Sequence, residues 1–566
     1  MAMNNKEVSN IFSIIIIFFI ALLCMLKQLA STSYFTVIVD DAFIYPSWAW
    51  QFNEALREGN IYPRWMPFDF WGYGSPAFLL YPPLAFYMTS LFNLFTGSIV
   101  PAMNLVKFTA LFLSGVGIYF LVKEFYRARV ALLSALFSVI LPYNIFSMYN
   151  YGSFAVMVSC MWFAPILLFA FRYCMTREFR HLVYGGACYG GLILTHIISA
   201  YMFTFLLAAF ALYLALVRKQ IRDLVIIPAV LLTGLSLAAA YLLPVVFERK
   251  YVNQEIFTTD INYIYSNFFI LPDMTARIAN WRFWPIYHDT MALHAALFCL
   301  FILIFLVRSQ STDHTRDNGL TLSVNRFFLI AATASLLLMF GVSSFVWEMV
   351  PFFRLILFPP RWLHISAFCA AFLSASVFSG AFASGPPVIR RILLPLLLFL
   401  SCIALDSSFI REAIRFNGDG HPASSVYRVY EHLPRGVHID KLDRRDDAGR
   451  ETGFALLGEG IARLVSWKSS QRIIDFRADK PAAIAFRTFN FPGWRATVDG
   501  AEVATTTQAE TRTILVDVPQ GNHRLTLVFG DTPVRRVGKL ISLVTLALLA
   551  LFSFLNKSAP PREPAF

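Results

Sequence analysis

Long apolar runs separated by short polar stretches dominate the chain. A helix that crosses a bilayer needs about 20 apolar residues, and twelve runs approach that length: 11–31, 104–122, 130–147, 155–174, 183–198, 200–217, 224–245, 292–308, 326–345, 362–384, 390–406 and 538–555. A further apolar stretch, 76–96 (PAFLLYPPLAFYMTSLFNLFT), has prolines, tyrosines and an amphipathic pattern, which suit a helix lying at headgroup level. Near the C-terminus the period changes to two. Arg472 to Ala478, Ala482 to Thr488, Thr513 to Val518 and Arg524 to Phe529 read as strands, with turn signals at Pro492-Gly493, Asp499-Gly500 and Gln520-Gly521-Asn522. The pattern predicts an all-α polytopic membrane body over 1–406, an extracytoplasmic β-sandwich-like domain over 407–536, and a final helix with a cytoplasmic tail over 537–566.

Composition and charge sharpen this picture. Of 566 residues 57% are hydrophobic and only 14% charged, against about 25% charged in a soluble domain. The net charge of +12 does not point to nucleic acid, because the cations fall in short clusters between apolar runs, as in cytoplasmic loops. The clusters are Lys123, Arg127 and Arg129; Arg172, Arg177 and Arg180; Arg218, Lys219 and Arg222; Arg308 and Arg316; Arg390 and Arg391; and Lys557 and Arg562. With twelve spans all of them face the cytoplasm together with both termini. Counting 76–96 as a span would put Lys123 to Arg129 outside. The stretch Ile11 to Met25 after Lys6 has the look of a signal peptide, but its length and poor cleavage signature favour a retained first helix. All seven cysteines lie in or beside apolar runs, so neither a disulfide framework nor a cysteine metal site is expected.

Chemistry is then to be sought on the outer face, in the large loops 32–103 and 246–291, the short segment 346–361 and the β domain. Asp40 and Asp41 close the apolar stretch at the head of the first loop; they are either functional carboxylates or a helix end reaching water. Tyr45, Trp48, Trp50, Trp65, Trp71, Tyr73 and Tyr81 follow, able to stack on sugar rings or to form an interfacial belt. Other ionisable groups gather at predicted outer helix ends: His196, Glu248, Arg249, His294, Arg354, Arg361 and His364. Arg361, in FPPRWLHIS, is the leading phosphate-binding candidate, since a guanidinium binds phosphate through two donors at once; as a plain alternative it snorkels at a helix start. His196 reads equally as a packing residue. Few ionisable groups fall at mid-membrane, whereas a transporter pathway would place them there.

The first-loop pattern of an Asp followed by ALREGNIYPRW, GYGSP and YPPL resembles the bacterial membrane proteins labelled 6-pyruvoyl-tetrahydropterin synthase-related, which look like GT-C glycosyltransferases. LPYNIFSMYNYGSFAV (141–156), GLILTHIISA (191–200) and AAAYLLPVVFERKYV (238–252) extend the resemblance. FPPRWL (358–363), FNFPGWRATVDGAEV and VPQGNHRLTLVF are similar to YfhO-like proteins, also placed among GT-C enzymes. Nothing in the sequence suggests pterin chemistry, and no zinc-binding histidine triad is visible. The family often carries a His four residues after its loop Asp; here Tyr45 follows Asp41, which keeps Asp40 a candidate beside it.

The resemblance implies transfer of a sugar from a polyprenyl-phosphate carrier to a glycan, lipid or protein acceptor outside the membrane. Asp41 or Asp40 would be the base, with inversion at the anomeric carbon. Arg361, with Arg249, Arg354 and His196 behind it, would hold the leaving phosphate. Tyr45, Trp65, Tyr81 and Glu248 are the candidate substrate-binding residues. No cofactor is required by the sequence; some GT-C enzymes use a divalent ion such as Mg2+ or Mn2+ and others do not. The rival readings are a lipid or polysaccharide transporter and a non-enzymatic envelope assembly protein.

Overall fold

A computed structural model describes residues 5–32, 39–151, 153–253, 318–379, 432–442 and 453–557, with a few more between 399 and 411. The helices in chain order are α1 (Asn5–Leu29), α2 (Val39–Arg57), α3 (Ala77–Leu80), α4 (Leu84–Thr96), α5 (Ile99–Lys123), α6 (Ala128–Val139), α7 (Pro142–Phe146), α8 (Phe154–Thr176), α9 (Phe179–Thr195), α10 (Ile197–Arg218), α11 (Ile226–Leu237), α12 (Ala239–Glu248), α13 (Asn318–Leu337), α14 (Ser344–Met349), α15 (Leu363–Ser379) and α16 (Pro533–Lys557). Among the described residues eight helices or helix pairs are long and apolar enough to cross a membrane, or nine with one bent pair. The expected span 292–308 lies outside the described residues, as does most of 390–406.

Three expectations need correction. The run 224–245 is not one straight span, because Ile221–Leu237 and Ala239–Tyr251 meet at 81°. The last helix holds the break closed: the Ala240 amide donates to Ser542 Oγ at 2.9 Å, and a Cβ on Gly538 would lie 2.6 Å from the Ala239 carbonyl. The run 326–345 is shifted, since α13 ends at Leu337. Asp40 and Asp41 open a second helix, α2, rather than close the first, which ends at Leu29. The stretch 76–96 forms α3 and the 13-residue α4, too short to cross.

Three of the cation clusters share one end of the helix body. Glu124 accepts from Arg172 at 2.7 Å, and the buried Asp223 pairs with Arg177 at 2.6 Å and Arg218 at 3.0 Å.

Nine strands form two antiparallel sheets: β1 (Phe454–Leu457), β2 (Gly460–Lys468), β3 (Gln471–Ala478), β4 (Ala482–Phe489), β5 (Trp494–Val498), β6 (Ala501–Val503), β7 (Thr505–Thr507), β8 (Thr513–Val518) and β9 (Gly521–Phe529). Their orders are β1-β4-β8-β7 and β2-β3-β9-β5-β6. Alternate residues Ile474, Phe476, Leu525 and Leu527 of one sheet and Ile484, Phe486, Ile514 and Val516 of the other are buried in a shared core. Asp499 and Gly500 both take positive φ (49° and 85°) between β5 and β6, as a two-residue hairpin turn requires.

The β domain is not built from 407–536 alone. Trp65, Phe70, Tyr73 and Leu79 of the first loop, and Val252, belong to its core. The Phe489 amide donates to the Tyr73 carbonyl at 3.0 Å, Arg487 Nε to the Trp71 carbonyl at 3.0 Å, and the Ser469 amide to Glu58 Oε2 at 2.6 Å. The first loop is therefore clamped between the helix body and the sandwich.

Candidate functional site

The end of the body opposite the cation clusters collects most of the candidate residues. Asp40 and Asp41 stand in the first turn of α2, where a carboxylate interacts favourably with the helix dipole; their side chains lie outside the described residues. Tyr45 follows one turn later and is buried. Its hydroxyl shares a hydrogen bond of 2.7 Å with Tyr81 of the YPPL motif, and its ring meets Phe154, the first residue of α8, at 5.9 Å. Trp48 packs on Tyr81 at 5.1 Å and on His432 at 5.3 Å.

Two turns along α8, Cys160 Sγ lies 2.7 Å from His364 Nε2 at the start of α15. Arg361 and His364 both lie within electrostatic range of the buried His196, whose Nδ1 accepts from the Ser199 amide at 3.1 Å. Arg361 donates from Nη1 to the Ile356 carbonyl at 2.6 Å, lies over the Phe358 ring at 4.9 Å, and keeps Nε without a hydrogen-bond partner among the described residues. Six residues separate Phe154 from Cys160, about 9 Å of helix rise. The first two turns of α8 thus bridge the α2 aromatic group and the Arg361–His196–His364 group.

Other candidates have different surroundings. Trp65 is fully buried against Phe491, Trp494 and Phe529, with ring centroids 6.3, 5.4 and 5.2 Å away, and offers no open face for stacking. The glycine after it in space explains GYGSP: Gly74 has φ +76°, and a Cβ there would sit 2.7 Å from Trp65 Cε2. Gly74→Ala is expected to cost more than about 1 kcal/mol, measurable as a lowered Tm in detergent. Glu248 accepts from Arg535 at 2.8 Å and from Thr532 at 2.5 Å, so its carboxylate is held by protein groups. Arg249 and Arg354 are exposed on 3-10 turns. His294 and residues 254–291 of the second outer loop lie outside the described residues. Among the described residues no group of three His, Cys, Asp or Glu could hold a metal ion.

Two residues passed over by the sequence reading stand at this same end. Lys107 lies inside the span 104–122, a position that should have marked it, because ionisable groups in spans are rare and commonly functional. It is fully buried, and its ammonium donates to the Met148 carbonyl at 3.4 Å, an oxygen it shares with the Gln28 amide. Met148 sits in a π-helical turn, Ser147–Tyr151, within the motif 141–156. His432 carries no such signal. Its Nδ1 is enclosed without a partner among the described residues, and burial pushes the imidazole down from 6.5 to about 4. The unfolded chain then binds the proton more readily, so this group removes stability as pH falls from 6.5 toward 4. His432→Gln should flatten the fall of Tm over that interval, compared in a thermal-shift series.

The profile described as "6-pyruvoyl-tetrahydropterin synthase related domain; membrane protein" matches residues 78–414. The chain belongs to this family. The match runs from α3 beyond α15 and includes Tyr81, His196, Arg361 and His364. Solved structures with some likeness include the apo oligosaccharyltransferase of Archaeoglobus fulgidus (14% identity, 75% of this chain and 56% of that one, TM-score 0.45). AglB from the same organism, in complex with an inhibitory peptide and a dolichol-phosphate, gives 15% identity, 74% and 57% coverage and TM-score 0.39. ArnT from Cupriavidus metallidurans bound to undecaprenyl phosphate gives 10% identity, 73% and 74% coverage and TM-score 0.38. This chain spans little more than half the length of the archaeal enzyme. No curated protein matches the sequence.

Proposed function

We propose that this membrane protein is a glycosyltransferase that takes a sugar from a polyprenyl-phosphate carrier and gives it to a glycan, lipid or protein acceptor on the outer side of a bacterial inner membrane. The observation that carries the reading is the convergence on the first two turns of α8: the helix bearing Asp40 and Asp41 touches one side through Tyr45, and Arg361, His196 and His364 gather at the other. A carboxylate within hydrogen-bond reach of an acceptor hydroxyl takes its proton as the oxygen attacks the anomeric carbon. The bond from that carbon to the phosphate oxygen breaks on the opposite face, so configuration inverts. The carrier phosphate leaves as a stable anion and needs no proton donor. What it needs is fixed positive charge where the negative charge develops, which Arg361 supplies. Tyr45 and Tyr81 line the approach.

The transporter reading gains one observation, the broken helix at Ala238, since discontinuous helices often hold transported ions through their freed backbone groups. Here those groups are engaged: the Ala240 amide by Ser542 and the Ala240 carbonyl by Arg64 Nη2 at 3.3 Å. Mass spectrometry of envelope glycans and lipid-linked sugars, with and without the protein, separates the readings. A transferase leaves carrier-linked sugar to accumulate on the outer side when it is removed; unchanged lipid-linked pools would count against it.

A further inference from the structure

The end of the β sandwich that meets the first loop encloses a cation. Arg472 alternates with Ile474 and Phe476 on the inner face of β3 and is 1% exposed; its register partners on the flanking strands are Trp467 of β2 and Leu527 of β9. Nη1 donates to the Lys468 carbonyl and, at 3.1 Å, to the Gln471 carbonyl, which pins the guanidinium to the β2–β3 turn. Cζ lies 4.3 Å from the centroid of the Trp467 ring and 5.2 Å from that of Trp494. Nε and Nη2 have no hydrogen-bond partner among the described residues, and the same holds for the buried Trp494 Nε1 and Ser469 Oγ nearby. Glu58, just after α2, is near enough to act on the charge. No ion pair joins the two among the described residues, and Glu58 Oε2 accepts instead from the Ser469 amide at 2.6 Å.

Nε–H and Nη2–H lie along one edge of a guanidinium and point the same way, so that edge matches the two oxygens of a carboxylate. A buried charge is costly unless it is paired and hydrogen-bonded. An arginine anchored through Nη1, with its paired edge engaged by nothing in the surrounding strands, has the donor set of a receptor. The way in is from β2, which is an edge strand and carries a bulge between Leu464 and Ser466. There the half-buried Trp467 lies over the guanidinium, with the exposed Lys468 next to it. An indole and a fixed carboxylate receptor side by side suit a pyranose ring that bears a carboxylate. We propose that Arg472, reached past Trp467, binds the carboxylate of a uronic acid within an acidic glycan, whose ring stacks on Trp467. The site is in the β domain and outside the family match of 78–414. That the glycan is the acceptor rests on the transferase reading above; the receptor itself rests on the geometry of the sandwich.

The test titrates the full chain in detergent with trigalacturonate, its fully methyl-esterified form, acetate and inorganic phosphate, followed by calorimetry and tryptophan fluorescence. Trigalacturonate is expected to bind with a change in emission, and the methyl ester at least tenfold more weakly, because esterification removes the charge. Arg472→Lys keeps the cation but loses the paired edge, and is expected to weaken trigalacturonate at least tenfold. Should that variant not fold, Trp467→Phe probes the same site without touching the cation: affinity stays within threefold of wild type while most of the emission change disappears. A control on the exposed face of β9, Arg524→Gln, should alter neither. The proposal is overturned if trigalacturonate fails to bind, if the methyl ester binds equally well, or if acetate or phosphate displaces it at equal concentration. Wild-type affinity in Arg472→Lys, or a wild-type emission change in Trp467→Phe, overturns it too. If binding follows the expected pattern but the protein transfers no sugar from a lipid-linked donor, the receptor stands and the transferase reading is lost; transfer without trigalacturonate binding has the opposite meaning.

Discussion

Asp41→Asn is expected to lower sugar transfer by about 10²- to 10⁴-fold, the usual contribution of a positioned general base, while the protein remains in the membrane at wild-type level. The expectation follows from where the residue stands. Asp41 is in the first turn of α2, one turn before Tyr45, so the helix that presents the carboxylate is the same one that Tyr81 and Phe154 lock in place. The substitution keeps size and hydrogen-bonding capacity and removes only the charge and the basicity. Loss of the favourable interaction with the helix dipole costs about 0.3–1 kcal/mol, too little to unfold a body of this size, so a loss of product reports on chemistry. Asp40→Asn, one residue away and about 100° around the helix, should have the smaller effect if Asp41 is the base and the larger effect if the roles are reversed. Carrier-linked sugar measured by mass spectrometry in cells expressing each variant distinguishes them. Normal glycan output from both variants, and from the double variant, would remove the carboxylate mechanism altogether.

Much of the membrane body is legible in the sequence because the length of an apolar run is a local property. The charge clusters are legible for the same reason, and Glu124–Arg172 and Asp223–Arg177 now draw three of them to one end. What fails is whatever distant residues decide. Nothing within 224–245 announces an 81° bend, because the groups that satisfy it are Ser542, from the far end of the chain, and Arg64. Trp65 reads as a stacking aromatic until Trp494 and Phe529 enclose it. Strand β2 escapes a period-two search because a bulge between Leu464 and Ser466 shifts its phase, and β1, β6 and β7 are too short to show a period. Lys107 is the instructive case: its signal was local, an ammonium within a predicted span, and the emphasis on helix ends hid it.

Arg535→Met is expected to destabilise the protein by about 3–5 kcal/mol, the usual cost of leaving one partner of a buried ion pair uncompensated. Arg535 is completely buried and Glu248 nearly so, their side chains 0% and 4% exposed. The guanidinium donates to three acceptors in two parts of the molecule: Glu248 Oε2 at the end of α12, and the Pro492 carbonyl at 2.7 Å and the Gly530 carbonyl at 3.0 Å in the β domain. Gly493 has no room for a side chain here, since a Cβ would lie 2.6 Å from Arg535 Nη1. Beside this pair Arg64 approaches Asp531 at 3.6 Å and Lys539 approaches it at 2.5 Å. One cluster therefore ties the first loop, the bent helix, the sandwich and the last helix. Glu248→Gln should cost less than Arg535→Met, because a neutral amide still accepts from the arginine, yet it leaves a buried cation without its counter-charge. The double variant Glu248→Leu with Arg535→Met removes both charges and is expected to recover much of the loss. Thermal unfolding in detergent, followed for all three, checks the order. If the single Arg535→Met variant melts with the wild type, the clasp does not hold the sandwich on the membrane body, and the clamped first loop must be held by the Glu58, Trp71 and Tyr73 contacts alone.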